Sequence, residues 1–195
     1  MSKNASGALP QSGEEIRFLV GESSLGKVLI AQSNKGIVSI LIGEDRQELI
    51  HELQKRFPRS HIVPEPSDKE NLLAKVIAFV EKPEENLYLP LDVRGTAFQK
   101  RVWNALKDIP LGETTTYTEV ARRIGASKAI RAVGNACSTN NLALAIPCHR
   151  VTRKDGSLSG GYHWGSERQR ALLDRESVNA KGYRSTNEAF GAALL

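Results

Sequence analysis

Hydrophobic positions follow two different rhythms along this chain. Up to residue 43 they fall in short blocks: Glu15–Ser23, Leu25–Ser33 and Gly36–Gly43. The last two are rich in Val, Ile and Leu, and Ser33-Asn34-Lys35-Gly36 makes a turn between them. Blocks of this length, bounded by turn residues, read as strands, here a small antiparallel meander. From Asp45 onward the apolar residues recur at helical spacing. Asp45 is placed to cap a first helix with Glu48 three residues on, and Leu49, Ile50, Leu53 and Phe57 form its apolar face until Pro58. The stretch Ser60–Pro66 reads as a loop. A capping box Ser67-x-x-Glu70 then opens a helix carrying Leu72, Leu73, Val76, Ile77 and Val80, closed by Pro83.

A second series begins near Asp92. Thr96-x-x-Gln99 caps a helix striped by Phe98, Val102 and Leu106 that runs to about Ile109. Thr116-x-x-Glu119 opens a short helix from Tyr117 to Ile124, and Gly125-Ala126-Ser127 turns into another, from Lys128 to about Thr139, with Ser127 as cap. Two short helices joined by a glycine turn fit a helix-turn-helix, although many helical hairpins share the pattern. Leu142–Ile146 is an apolar run of strand length, Asp155-Gly156 and Ser159-Gly160-Gly161 read as loops, and Ser166-x-x-Gln169 opens a last helix ending at Glu176. The expected architecture is α+β. Residues 1–13 form a disordered start, 14–91 a structural α/β unit, 92–177 a mostly helical unit and 178–195 a flexible tail.

The composition narrows the function classes. The chain has 195 residues, 25% of them charged and 40% hydrophobic, ordinary for a globular protein. No apolar run approaches the length of a membrane span, and Met1–Gln11 lacks the apolar core of a secretory signal. Two cysteines, Cys137 and Cys148, make neither a disulfide framework nor a four-cysteine zinc site, so a cytoplasmic setting is expected. The net charge of +5 is unevenly spread. Residues 1–93 carry 11 basic and 14 acidic side chains, whereas residues 94–176 carry 14 and 7. A basic second half suits a polyanionic partner as well as it suits a plain solvated surface.

Chemistry concentrates at Cys148-His149. A cysteine ending an apolar run is by default a small buried hydrophobe. Here a histidine able to take a thiol proton follows it, and Arg150 adds positive charge that favours thiolate. Cys137 has no such neighbour and reads as core, as does Trp103. His51, His61 and His163 lack partners at metal-ligand spacing and read as surface residues.

The segment Ile146-Pro147-Cys148-His149-Arg150-Val151 resembles the active-site motif of the methylated-DNA–protein-cysteine methyltransferases. Phe98-Gln99, Val102-Trp103, Ile109-Pro110, Gly112-Glu113, Tyr117, Arg131-Ala132-Val133-Gly134, Asn140, Ser159-Gly160 and Glu176 follow the same family's pattern in order. The likeness is dense from about Asp92 to Glu176 and looser back to Glu15. Its flavour is nearest the repair half of the bacterial adaptive-response regulator, including Leu91–Thr96. The resemblance implies a ribonuclease-H-like amino-terminal unit and a winged-helix-like carboxy-terminal one.

It also implies a reaction. Cys148 takes an alkyl group from guanine O6, less efficiently from thymine O4, with His149 as base through a water and Glu176 orienting the imidazole. The thioether product makes this a single-turnover event needing no metal and no organic cofactor. The partner implied is double-stranded DNA carrying the alkylated base, bound through the minor groove by a monomer, with the target base flipped out. Arg131 corresponds to the residue that replaces the flipped base, and Lys128, Ala132, Gly134 and Ala136 to its helix at the groove. Tyr117 corresponds to the residue crowding the rotated phosphate. Val151 and Ser159 correspond to contacts of the guanine, and Asn140 to the hinge before the nucleophile. Two other readings remain open. A non-catalytic lesion binder is disfavoured by the presence of Cys148, and a thiol hydrolase would have no use for Arg131.

Overall fold

The computed structural model describes residues 13–68, 70–158 and 162–178; the expected disordered start and flexible tail lie almost wholly outside them. Three strands form where the block pattern places them: β1 (Glu15–Ser23), β2 (Gly26–Ser33) and β3 (Gly36–Gly43). They pair antiparallel, with a register shift between Ala31 and Gln32. A fourth strand, β4 (His61–Pro64), corrects the expected loop. It pairs parallel to β1, so the sheet runs β3-β2-β1-β4 and is mixed, not purely antiparallel. Four residues, exposed at both ends and half-buried between, give no alternation strong enough to read as a strand; the free edge of β1 decides it.

Helices α1 (Arg46–Arg56) and α2 (Leu72–Glu81) pack on this sheet. Asp45 caps α1 by accepting from the backbone N–H groups of Gln47 and Glu48. The Ser67–Glu70 box does not form. Asn71 is the cap residue, in a left-handed conformation, and the carboxylate of Asp68 accepts from Leu72 N and Ala74 N instead. A charged acceptor at a helix N-terminus satisfies orphan donors better than a serine hydroxyl.

Four more helices follow among the described residues: α3 (Ala97–Lys107), α4 (Tyr117–Arg123), α5 (Ile130–Ser138) and α6, residues 166–178. The Thr96–Gln99 capping box is complete on both sides. Thr116 caps α4, but Glu119 turns away to pair with Arg122 and Arg123. Helix α5 starts two residues later than expected, without a side-chain cap, because Ala129 N donates to Ala126 O and closes a turn over Ser127 and Lys128. The run Leu142–Ile146 is not a strand. Leu144 has φ 68°, Ala145 N donates to Ala143 O and Ile146 N to Leu142 O, so the segment coils tightly. All five residues are buried, which is why they are apolar.

The sheet and the helices share one hydrophobic core. Strand β3 presents its outer edge to the helical part. Ile37 exchanges hydrogen bonds with Pro90 and Asp92, and Ile40 does so with Asn141 and Ala143. The segment that leads to Cys148 is thereby fastened to the sheet. Side chains reinforce this seam: Arg56 donates to the side-chain Oδ1 of Asn141, and Glu52 meets the imidazole of His163 at 2.5 Å.

Gly36 allows this edge pairing. Its φ is +144°, and a Cβ there would lie 2.5 Å from Pro90 O. Gly36→Ala is expected to destabilise the fold by about 1–3 kcal/mol, measured by chemical denaturation, because both the backbone conformation and the contact become strained.

Candidate active site

Cys148, His149 and Arg150 form a single 3-10 turn that runs into the short strand β6 (Val151–Thr152). Strand β6 pairs parallel with β5 (Thr115–Thr116), which sets Val151 opposite Thr115, two residues before Tyr117. Tyr117 is half-buried at the first position of α4. Asn140 follows the end of α5 and is buried. Its Nδ2 donates to Ile146 O at 2.9 Å and to Cys148 Sγ at 3.3 Å, while its Oδ1 accepts from Leu142 N at 2.9 Å. One side chain therefore holds both ends of the coiled 142–146 segment and touches the thiol. The backbone N–H of Asn140 also closes the last turn onto Cys137 O.

Cys148 is buried, and burial pushes its thiol up to about 11, against the pull of the Asn140 bond and neighbouring backbone N–H groups. Cys137, also buried, is pushed higher still by burial and lines the core as expected. At neutral pH Cys148 therefore rests as a thiol.

The residue next in sequence carries an imidazole. His149 is fully buried, with Nε2 2.8 Å from Glu176 Oε1. Burial alone raises the Glu176 carboxyl, but His149 and Arg150 overcome it and hold it down at about 2. An ionised carboxylate can only accept, so Nε2 carries the hydrogen and Nδ1 of a neutral ring keeps its lone pair free to take a proton. Nδ1 has no hydrogen-bond partner among the described residues.

Arg150 does not act on the thiol as the sequence suggested. Its Nε donates to Glu176 Oε2 at 2.9 Å and its Nη2 to Glu176 Oε1 at 3.0 Å. Nη1 donates to Ile109 O at 2.7 Å and to Asn86 Oδ1 at 3.0 Å. With 1% exposure its charge is committed to neutralising a carboxylate that is itself fully buried. Two further residues escaped sequence reasoning. Gln169, expected to cap α6, instead donates from Nε2 to the carbonyls of His149 and Val151 at 3.1 and 3.2 Å. Asn86 carries no signal in its neighbourhood; Gln169 carries one, since it lies two helical turns before Glu176 on the same face.

The expected DNA-contacting residues lie on another surface. Lys128, Arg131 and Ala132 are exposed, and Gly134 is half-buried with open space where a Cβ would project. Glycine inside a helix costs about 1 kcal/mol relative to alanine, and nothing within this fold requires it there. Ala136 departs from expectation: it is buried, and its carbonyl accepts from Trp103 Nε1 at 2.8 Å, fastening α5 to α3. Ser159, with Gly160 and Gly161, lies outside the described residues.

The family model described as the 6-O-methylguanine DNA methyltransferase DNA-binding domain matches residues 97–178. The inducible methylated-DNA–protein-cysteine methyltransferase of Bacillus subtilis is 36% identical over 82% of this chain and 83% of its own length. This chain belongs to the methylated-DNA–protein-cysteine methyltransferase family. The bifunctional transcriptional activator and DNA repair enzyme Ada of Escherichia coli is 48% identical over 84% of the chain, but only 46% of Ada is covered. The chain thus spans about half the length of the Ada proteins it matches. Among solved structures, the Mycobacterium tuberculosis OGT in complex with DNA superposes with a TM-score of 0.70 at 34% identity, covering 84% of this chain and 94% of that one. The mixed α+β architecture is therefore that of a family member, and in this methyltransferase-family chain Asn140 bonds the buried Cys148 while His149, Arg150 and Glu176 bond one another.

The buried charges make a prediction about acid. Glu176 titrates near 2 in the fold against an ordinary 4.5, so its stabilisation is complete above about pH 4.5 and drains away as pH falls toward 2. Arg150→Met leaves the carboxylate without its main cation and is expected to cost about 3–5 kcal/mol at neutral pH. It should also flatten the loss of stability between pH 4.5 and 2, followed by urea denaturation across that range.

Proposed function

We propose that this chain is a direct-reversal DNA repair transferase that flips O6-alkylguanine, and less efficiently O4-alkylthymine, out of duplex DNA and takes the alkyl group onto Cys148. The observation that carries the reading is a buried thiol adjacent to a buried His149–Glu176 pair, in a chain of this family. The thiol proton passes to His149 Nδ1 through a bridging water, and the imidazolium formed is stabilised by Glu176. The thiolate attacks the saturated carbon on O6. The S–C bond forms as the C–O bond breaks, and the electron pair leaves with the guanine, which is reprotonated. The thioether product has no acyl centre for water to attack, so each chain acts once.

The DNA side of the reading draws on α4 and α5, taken as a helix-turn-helix whose second helix lies in the minor groove. Arg131 enters the base stack, Lys128 meets phosphate, and Ala132 and Gly134 permit close approach to the groove floor. Tyr117 turns the phosphate of the flipped nucleotide. The carbonyl of Val151, held by Gln169, accepts from the guanine amine, and Ser159 donates to O6. The amino-terminal unit is read as ribonuclease-H-like and the protein as a monomer on its DNA.

Intact-protein mass after incubation with a duplex holding one O6-methylguanine tests the chemistry. One added methyl per chain is expected, mapped to Cys148 and absent in Cys148→Ala. Methyl on Cys137, or repeated turnover, would overturn the assignment. Arg131→Ala is expected to slow repair of duplex DNA at least tenfold while changing reaction with the free alkylated base less than twofold. Equal losses on both substrates would remove the flipping role.

A further inference from the structure

Helix α6 carries two pairs of side chains spaced by seven residues, which is two helical turns or about 10 Å. Gln169 and Glu176 are fully buried against the 148–151 turn. Arg168 and Arg175, each one residue earlier, project from an adjacent face toward the amino-terminal sheet. Arg168 Nε donates to Leu25 O at 2.8 Å, its Nη1 to Trp164 O at 3.0 Å, and its Nη2 pairs with Glu44. Arg175 Nη1 donates to Val80 O at 2.5 Å and Nη2 to Ser24 Oγ at 2.9 Å. Ser24 is held in turn by Glu81, through its backbone N–H at 2.7 Å and its hydroxyl at 2.5 Å.

Helix ends fray, and a helix of this length is marginal without tertiary support. Glu176 lies in the last turn, where its position is most sensitive to fraying. Arg175 ties that turn to a main-chain carbonyl at the end of α2 and to the β1–β2 turn. Arg168 ties the first turns to the other side of the same β1–β2 turn. We infer that Arg175, assisted by Arg168, is a positioning residue for alkyl transfer: through it the amino-terminal sheet sets the register of α6 and so holds Glu176 against His149. The inference rests on the repair reading above, and gives the amino-terminal unit a part in the chemistry that is exerted at a distance from the thiol.

The experiment compares Arg175→Met, Arg175→Lys, Glu176→Gln and the Arg175→Met/Glu176→Gln double variant in single-turnover methyl transfer from an O6-methylguanine duplex across pH. Arg175→Met is expected to slow transfer about tenfold, with affinity for unmodified duplex unchanged. Its pH–rate profile should move in the same direction as that of Glu176→Gln. In the Glu176→Gln background the further loss should fall below twofold, since the carboxylate being positioned is gone. Arg175→Lys should restore most of the rate. If Arg175→Met does not fold, Ser24→Ala removes a single partner and should slow transfer about threefold in the same pattern.

A wild-type rate in Arg175→Met, or an undiminished tenfold loss on top of Glu176→Gln, would overturn the inference. A second readout does not depend on turnover. The His149 Nε2 proton shared with Glu176 should give a downfield NMR resonance in the wild type that broadens or disappears in Arg175→Met. If the wild type takes up no methyl group, the repair reading falls, and the resonance alone decides the positioning role: its persistence in Arg175→Met overturns that role.

Discussion

Burial of the Glu176 carboxylate constrains everything around it. A fully buried anion is tolerated only where a cation and hydrogen bonds replace its lost hydration. Arg150 supplies the cation with a two-pronged contact, and His149 supplies a third hydrogen bond. Arg150, buried in turn, has to satisfy its remaining donors, and does so on Ile109 O and Asn86. The carboxylate therefore locks together the end of α6, the 148–150 turn, the residues after α3 and the linker preceding Asp92. The guanidinium of Arg150 offsets the charge of Glu176.

That lock separates two tasks. The inner face holds a thiol that burial keeps protonated at rest, followed in sequence by an imidazole whose Nε2 faces the carboxylate. The outer face, on α5 and the turn before it, holds Arg131, Lys128 and the small residues, with no internal packing duty for Gly134. Asn140 joins the two faces, since it follows α5 in the chain and bonds both the coiled segment and Sγ. On the proposed reading, a helix that engages DNA is connected to the nucleophile by one buried amide. Leu144, left-handed and not a glycine, shows that the connecting segment carries backbone strain, which tertiary contacts must over-determine.

The amino-terminal sheet hydrogen-bonds both segments that carry the site. Its β3 edge hydrogen-bonds the backbone on the way to Cys148, and its β1–β2 turn receives both arginines of α6. The two contacts act on opposite sides of the site, one on the nucleophile's segment and one on the acid's helix. Neither is visible in the local sequence of the sheet, where Ser24 and Leu25 look like ordinary turn residues.

Local physics was enough for the sequence to determine three strands, the six helices among the described residues, the caps at Asp45, Thr96 and Thr116, and the adjacency of thiol and imidazole. Those features depend on spacing and on residues within a few positions of one another. The tertiary structure decided what depends on distant partners. Strand β4 exists because β1 offers a free edge, and Leu142–Ile146 coils because it is buried on every side and pinned by Asn140 and β3. Asp68 displaces Ser67 as a cap because its carboxylate reaches both orphan donors. Arg150 turns from the thiol to Glu176, 26 residues away, because a buried carboxylate outcompetes a neutral thiol for a guanidinium. Sequence position says which groups a segment carries; the burial of charge says which of them must meet.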